Sequence, residues 1–96
     1  MNKPWLMGID LGGSGARCLL VDRSSGTQVS TCGSWQFAAA PGTFGTGYDI
    51  DLELVWEVVT KACRDALRQA HIESSAVAAI AVSAMRFSTV VLGADG

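Results

Sequence analysis

Apolar positions in this chain cluster into short runs separated by glycine and polar turns, with one long helical stripe in the middle. Residues 5–10 form an apolar run closed by a carboxylate, Trp-Leu-Met-Gly-Ile-Asp, and residues 16–22 form a second, Ala-Arg-Cys-Leu-Leu-Val-Asp. Runs of this length bounded by turn residues read as buried strands, and the glycine-rich stretch between them predicts an antiparallel hairpin. Ser24-Ser25-Gly26 is a turn signal. Residues 28–37 then read as a third strand, with Val29, Thr31, Gly33 and Trp35 on one face and Ser30, Cys32, Ser34 and Gln36 on the other. Residues 38–47 are small and loop-like, with Pro41, Gly42, Gly45 and Gly47.

The periodicity then changes to helical over residues 51–70. Asp51 suits an N-cap, and Glu53 falls in the first turn, where the helix dipole favours an anion. Leu52, Val55, Trp56, Val59, Ala62, Cys63, Ala66, Leu67 and Ala70 recur at helical spacing and form the expected core stripe. Glu53, Glu57, Lys61, Arg64 and Arg68 lie opposite, with Glu57 and Lys61 spaced for an i,i+4 pair. His71 follows as a cation at the helix C-terminus, where it suits the dipole. Residues 76–83 predict a strand buried on both faces, and residues 89–92 a further strand running into Gly93-Ala94-Asp95-Gly96, a hairpin-turn composition. The order is that of an α/β unit: an antiparallel meander of three strands, a helical crossover and a parallel strand, making a mixed sheet with the helix on one face.

Composition narrows the possibilities. The 96 residues allow one small domain at most. With 49% hydrophobic residues the chain is too apolar for disorder, and with only 17% charged residues some apolar faces are expected to meet further protein. A net charge of −2 gives no footprint for nucleic acid or an acidic membrane surface. Cys18, Cys32 and Cys63 are widely spaced and read as reduced thiols, without a zinc or disulfide pattern. No apolar run reaches the ~18 residues of a membrane span, and the expected compartment is the cytoplasm.

The candidate chemistry lies in Met7-Gly8-Ile9-Asp10-Leu11-Gly12-Gly13-Ser14-Gly15-Ala16-Arg17. Glycines at 12, 13 and 15 permit positive φ and close approach of a phosphate to backbone N–H groups. Asp10 ends the first strand at the same mouth, and Mg²⁺ bridging phosphates takes only one or two protein carboxylates. Ser14 adds a hydroxyl, and Arg17 pairs with phosphate oxygens if it lies on the cleft face. Neither the P-loop pattern nor the dinucleotide-binding glycine pattern fits, since no Lys follows the glycines and a strand, not a helix, comes next.

Gly8-Ile9-Asp10-Leu11-Gly12-Gly13-Ser14 resembles the first phosphate motif of the superfamily of actin, hexokinase and the heat-shock ATPases. Within it the whole chain is similar to the N-terminus of the FGGY carbohydrate kinases. Asp22 before the Ser-Ser-Gly turn, Tyr48-Asp49-Ile50-Asp51 with Leu54-Val55-Trp56, and the segment from Ile80 to Gly96 carry the narrower resemblance. Two departures stand out. Gly13 and Gly15 occupy places where the family usually has hydroxyl residues, and Phe87 stands where glycerol kinases have an acid and xylulokinases a His.

The resemblance implies a ribonuclease H-like β-β-β-α-β half-domain, residues 1–96 being the N-terminal part of a two-domain kinase. It implies that Asp10 orients Mg²⁺ and that Gly12, Gly13, Ser14, Gly15 and Arg17 surround the phosphates of ATP. Met85 and Arg86 fall at the sugar or polyol site, and Trp56 falls in the core. The general-base Asp and the adenine pocket are expected downstream, so residues 1–96 alone are expected to be inactive. The partners implied are a small-molecule sugar or polyol and a second copy, either in a homodimer of the whole kinase or by self-association of residues 1–96, whose sheet is expected to expose one face and an edge. The competing reading is a non-catalytic module of the same superfold that holds a nucleotide or a partner. A downstream Asp in a glycine-rich setting, with a second Asp-Gly-Gly-type phosphate loop, discriminates the two.

Overall fold

Apolar side chains at alternate positions of the first two strands create one face that must be covered, and the helix covers it. In the computed structural model, which describes residues 3–85 and 92–95, β1 (Trp5–Leu11) and β2 (Gly15–Asp22) pair antiparallel, from Trp5 opposite Asp22 to Leu11 opposite Ala16. β3 (Gln28–Ser34) pairs antiparallel with β2. After α1 (Leu52–Ala70) and a short 3₁₀ turn at Ser74–Ala76, β4 (Val77–Ala84) pairs parallel with β1. The sheet order is β3-β2-β1-β4. This is the mixed α/β sheet with one long helix expected of a ribonuclease H-like half-domain.

Trp5, Met7, Cys18 and Leu20 of the hairpin meet Ala62 and Ala66 of α1 in the core. Small residues at the contact let helix and sheet approach closely. The Thr31 hydroxyl donates to the Ala62 carbonyl at 2.6 Å, and a Cβ at Gly33 would stand 2.7 Å from Val58 Cγ1. The helix ends as its sequence dictates. The Asp51 carboxylate accepts from the Leu54 N–H at 3.1 Å. His71 takes a left-handed conformation (φ 55°). Its N–H donates to the Arg68 carbonyl and the Ile72 N–H to the Leu67 carbonyl, a Schellman closure with Ile72 and Leu67 both against the core.

Four sequence expectations are corrected. β3 ends at Ser34, not Phe37, because β2 runs out at the hairpin tip and the next N–H, that of Trp35, donates to the Ser14 carbonyl instead. β4 is exposed along almost its whole length, with Ile80 and Val82 about 60% open (61% and 62%), because α1 packs across β2 and β3 and leaves β4 uncovered. Trp56 is 71% exposed and Leu52 is exposed as well. The line facing the sheet runs through Val58, Ala62 and Ala66, and at 100° per residue Trp56 sits well off it. Lys61 pairs with Asp65 at 2.8 Å rather than with Glu57, because Arg68, 3.0 Å from the same carboxylate, makes Asp65 a shared anchor. That pairing holds the Asp65 carboxyl below its ordinary range. The strand expected over residues 89–92 lies outside the described residues except for Leu92, which is not in a strand. No helix among the described residues is long and apolar enough to cross a membrane.

Burial, reinforced by the neighbouring Cys63, pushes the Cys18 thiol up to about 12. The unfolded chain ionises this thiol near its ordinary value of 9.0. Between these values the unfolded state has lost a proton that the folded state retains, so stability falls as pH rises. The urea midpoint is expected to decline from pH 9 upward, and Cys18→Val should flatten that decline. Identical slopes for the variant and the parent would refute this.

Candidate functional site

The β1–β2 hairpin closes with the Gly12 N–H donating to the Gly15 carbonyl at 2.8 Å, leaving Gly13 and Ser14 as a two-residue tip. Among the described residues, neither tip N–H has a backbone acceptor. None of Gly12, Gly13 and Gly15 adopts positive φ; the described glycines that do are Gly26, Gly42 and Gly45. The positive φ that these glycines permit is therefore not used at the hairpin tip. Gly15 is needed for a different reason: a Cβ there would lie 2.2 Å from the Gly33 carbonyl oxygen. Gly13 has open space where its Cβ would stand.

Strand alternation places the charged pair. Trp5 and Met7 face α1, so Asp10 faces away from it, and the register sets Arg17 directly opposite Asp10 on the same open face. Cys32 lies opposite Arg17 and extends the row. Asp10, Gly12, Ser14, Arg17, Cys32 and Ser34 line a cavity of about 470 Å³. An exposed carboxylate and an exposed guanidinium thus share one mouth beside the free tip. Arg17 thus lies on the face that lines this cavity. No group of three or more His, Cys, Asp or Glu residues is gathered for a metal among the described residues. A divalent ion at this mouth would have Asp10 as its protein carboxylate, with phosphate oxygens and waters completing the shell.

A second cavity, about 840 Å³, adjoins the tip. Gly13, Ser14, Trp35, Phe37, Tyr48 and Met85 wall it. The Trp35 and Phe37 rings stack with centroids 5.8 Å apart. The loop after Phe37 is tied off by the Ala40–Gly47 and Asp49–Ala38 backbone hydrogen bonds, 3.0 and 2.9 Å, which return Tyr48 to the cavity. Met85, just beyond β4, is where the sequence reading placed a substrate contact. Arg86 lies outside the described residues. Ser14 belongs to both cavities.

The model of the FGGY family of carbohydrate kinases, N-terminal domain, matches residues 5–96. The chain belongs to this family. It is 31% identical over 93 residues to autoinducer-2 kinase of Salmonella choleraesuis, a match covering 96% of this chain and 17% of that protein. It is 30% identical over 97 residues to glycerol kinase of Thermococcus kodakarensis, covering 98% of this chain and 18% of that protein. The match to autoinducer-2 kinase of Yersinia enterocolitica is 27% over 92 residues. The chain therefore spans less than a fifth of the length of the curated relatives it matches.

Sequence reasoning missed part of the surroundings of this candidate site. Trp35 read as part of one face of the third strand, and Phe37 as that strand's end. Tyr48 entered only through the family resemblance. Cys32 and Ser34 read as the polar face of a strand, which they are, without the register that sets them beside Arg17. The available signal was the cluster Trp35-Gln36-Phe37 directly before a glycine-rich loop, since aromatic groups at a strand exit commonly wall a pocket. Asp22 is a structural acid. Its carboxylate accepts from the Ser24 hydroxyl and N–H at 2.6 and 2.9 Å, bonds that lower its pKa and fix the β2–β3 turn.

Proposed function

We propose that this FGGY domain supplies the phosphate-binding and acceptor-binding half of an ATP-dependent carbohydrate kinase, which moves the γ-phosphate of ATP to a hydroxyl of a small sugar or polyol. The observation that carries the reading is the position of Ser14 at a hairpin tip shared by the two cavities. One cavity offers the hairpin-tip Ser14, a carboxylate and a guanidinium, which suits a metal-bound polyphosphate. The other offers aromatic faces with polar ends, which suits an uncharged hydroxylated ligand. A phosphoryl group crossing the tip passes from one to the other. Phosphoryl transfer depends mainly on positioning and charge stabilisation, and a hairpin tip provides positioning.

In this reading Asp10 would hold Mg²⁺ or its waters, and the bound ion would supply charge neutralisation at the phosphates. Arg17 binds phosphate oxygens, and the Gly13 and Ser14 N–H groups orient them. Met85 and Arg86 contact the acceptor. The carboxylate that takes the hydroxyl proton comes from outside residues 1–96, as do the adenine contacts. The test is a screen of the intact protein with MgATP against a panel of pentoses, hexoses and polyols that includes glycerol, with residues 1–96 assayed in parallel. The intact protein is expected to phosphorylate at least one acceptor, Arg86→Ala to raise its KM, and residues 1–96 alone to transfer nothing. Turnover by residues 1–96 alone, or no acceptor for the intact protein, would sink the reading.

A further inference from the structure

β1 and β4 are both apolar strands, and each carries a single polar side chain. In Trp-Leu-Met-Gly-Ile-Asp-Leu it is Asp10, and in Val-Ala-Ala-Ile-Ala-Val-Ser-Ala it is Ser83. The parallel register sets these two directly opposite each other. In-register neighbours point to the same face of a sheet, and adjacent strands stand about 4.8 Å apart. A hydroxyl on one Cβ can therefore reach a carboxylate on the other. Ser83 extends the row Cys32, Arg17, Asp10 to the fourth strand. With Asp10 and Arg17 it lines a further cavity of about 330 Å³. β4 is exposed at nearly every position, yet only position 83 is polar, so contact with solvent does not by itself select a serine there.

Asp10 is the one carboxylate among the described residues that line the phosphate mouth. A ligand carboxylate that acts alone is not steered by fellow ligands, so its direction has to come from an outer hydrogen bond. In the 330 Å³ cavity its other neighbours Gly8, Leu19 and Ala81 bring no side-chain donor, whereas Arg17 and Ser83 do. Arg17 is assigned to phosphate oxygens, which leaves Ser83. Among the described residues neither Asp10 nor Ser83 has its side chain engaged in a hydrogen bond or an ion pair, so each is available to the other. We infer that Ser83 is a positioning residue: its hydroxyl donates to one Asp10 oxygen when the mouth is loaded, and so aims the other oxygen at the ion or its waters. The inference rests on the proposed reading of this mouth as the metal and phosphate site.

The experiment uses the intact protein and the non-hydrolysable ATP analogue AMP-PNP, whose Kd is measured by calorimetry with Mg²⁺ and again with EDTA. The ratio of the EDTA Kd to the Mg²⁺ Kd reads the metal's share of binding. Ser83→Ala should lower that ratio about three- to tenfold, the worth of one hydrogen bond. The Kd in EDTA and the Tm should stay at their wild-type values, since Ser83 is exposed. Ser83→Thr should keep the wild-type ratio, and Ser83→Val, of the same shape without the hydroxyl, should lower it as Ala does. In turnover Ser83→Ala and Ser83→Val should lower kcat and leave the acceptor KM unmoved, because Ser83 does not line the second cavity. A merely structural serine would shift the Tm, or both Kd values together, and leave their ratio unchanged. A ratio within twofold of wild type in Ser83→Ala and Ser83→Val overturns the inference while leaving the Asp10 reading intact. A ratio that Asp10→Ala leaves unchanged sinks the Asp10 reading and takes the inference with it. Should Ser83→Ala not fold, the contrast between Ser83→Thr and Ser83→Val decides.

Discussion

Gly15→Ala is expected to destabilise the domain by about 3 kcal/mol, the upper range for forcing volume into a packed site. The new Cβ would stand 2.2 Å from the Gly33 carbonyl oxygen and 3.0 Å from Ser34 Cα. Both neighbours are backbone atoms of β3, so no side-chain rotation relieves the clash, and β2 and β3 must part where they pair Gly15 with Ser34. Small domains have little stability in reserve, and a loss of this size is a large fraction of the total. Gly13→Ala is the control. Nothing lies within 4 Å of its Cβ position, and its effect on stability should stay within about 0.5 kcal/mol. Urea denaturation of the two variants measures the contrast. Equal midpoints would show that the hairpin tolerates a side chain at 15 and that the glycine there serves the ligand instead.

Asp10→Ala in the intact protein should reduce kcat/KM by roughly 10²–10³ for every acceptor, the scale of losing one preorganised charge partner of a transferring phosphate. Its stability should barely change, because Asp10 is exposed and makes no salt bridge among the described residues. The loss should be shared by all acceptors, since Asp10 lines the first cavity and does not line the second. A steady-state comparison of two acceptors, with thermal melts alongside, separates these outcomes. A selective rise in KM for one acceptor would place Asp10 on the wrong side of the tip. A fall in Tm of several degrees would make it a structural acid like Asp22.

The two variants mark what could and could not be seen along the chain. Asp10 could be singled out because its setting is local: a carboxylate at the end of an apolar run, followed by glycines, wherever the strand lies. The N-cap Asp51 and the Ser24-Ser25-Gly26 turn were identifiable for the same reason, as each acts on backbone groups a few residues away. Gly15 was singled out for close approach of a ligand, and its steric place against β3 was not visible in the sequence. Its neighbours Gly33 and Ser34 lie many residues on and meet it only through the β2–β3 register. Trp56 failed similarly. Helical periodicity gives the width of an apolar stripe, and only the placement of α1 over β2 and β3 decides which part of that stripe is covered.

The chain alone determined its element order, the hairpin and its acid, the helix with both caps, and the family to which it belongs. These follow from near-neighbour chemistry: strand and helix periods, glycine at turns, and oxygen acceptors for unpaired N–H groups. The tertiary structure decided that Asp10 and Arg17 share a face, that Trp35 and Tyr48 wall a second cavity, and that Ser14 stands between the two. Each of these depends on strand register or on the path of the 38–47 loop. Register is set by packing summed over whole strands, and a shift of one residue would turn every side chain to the other face.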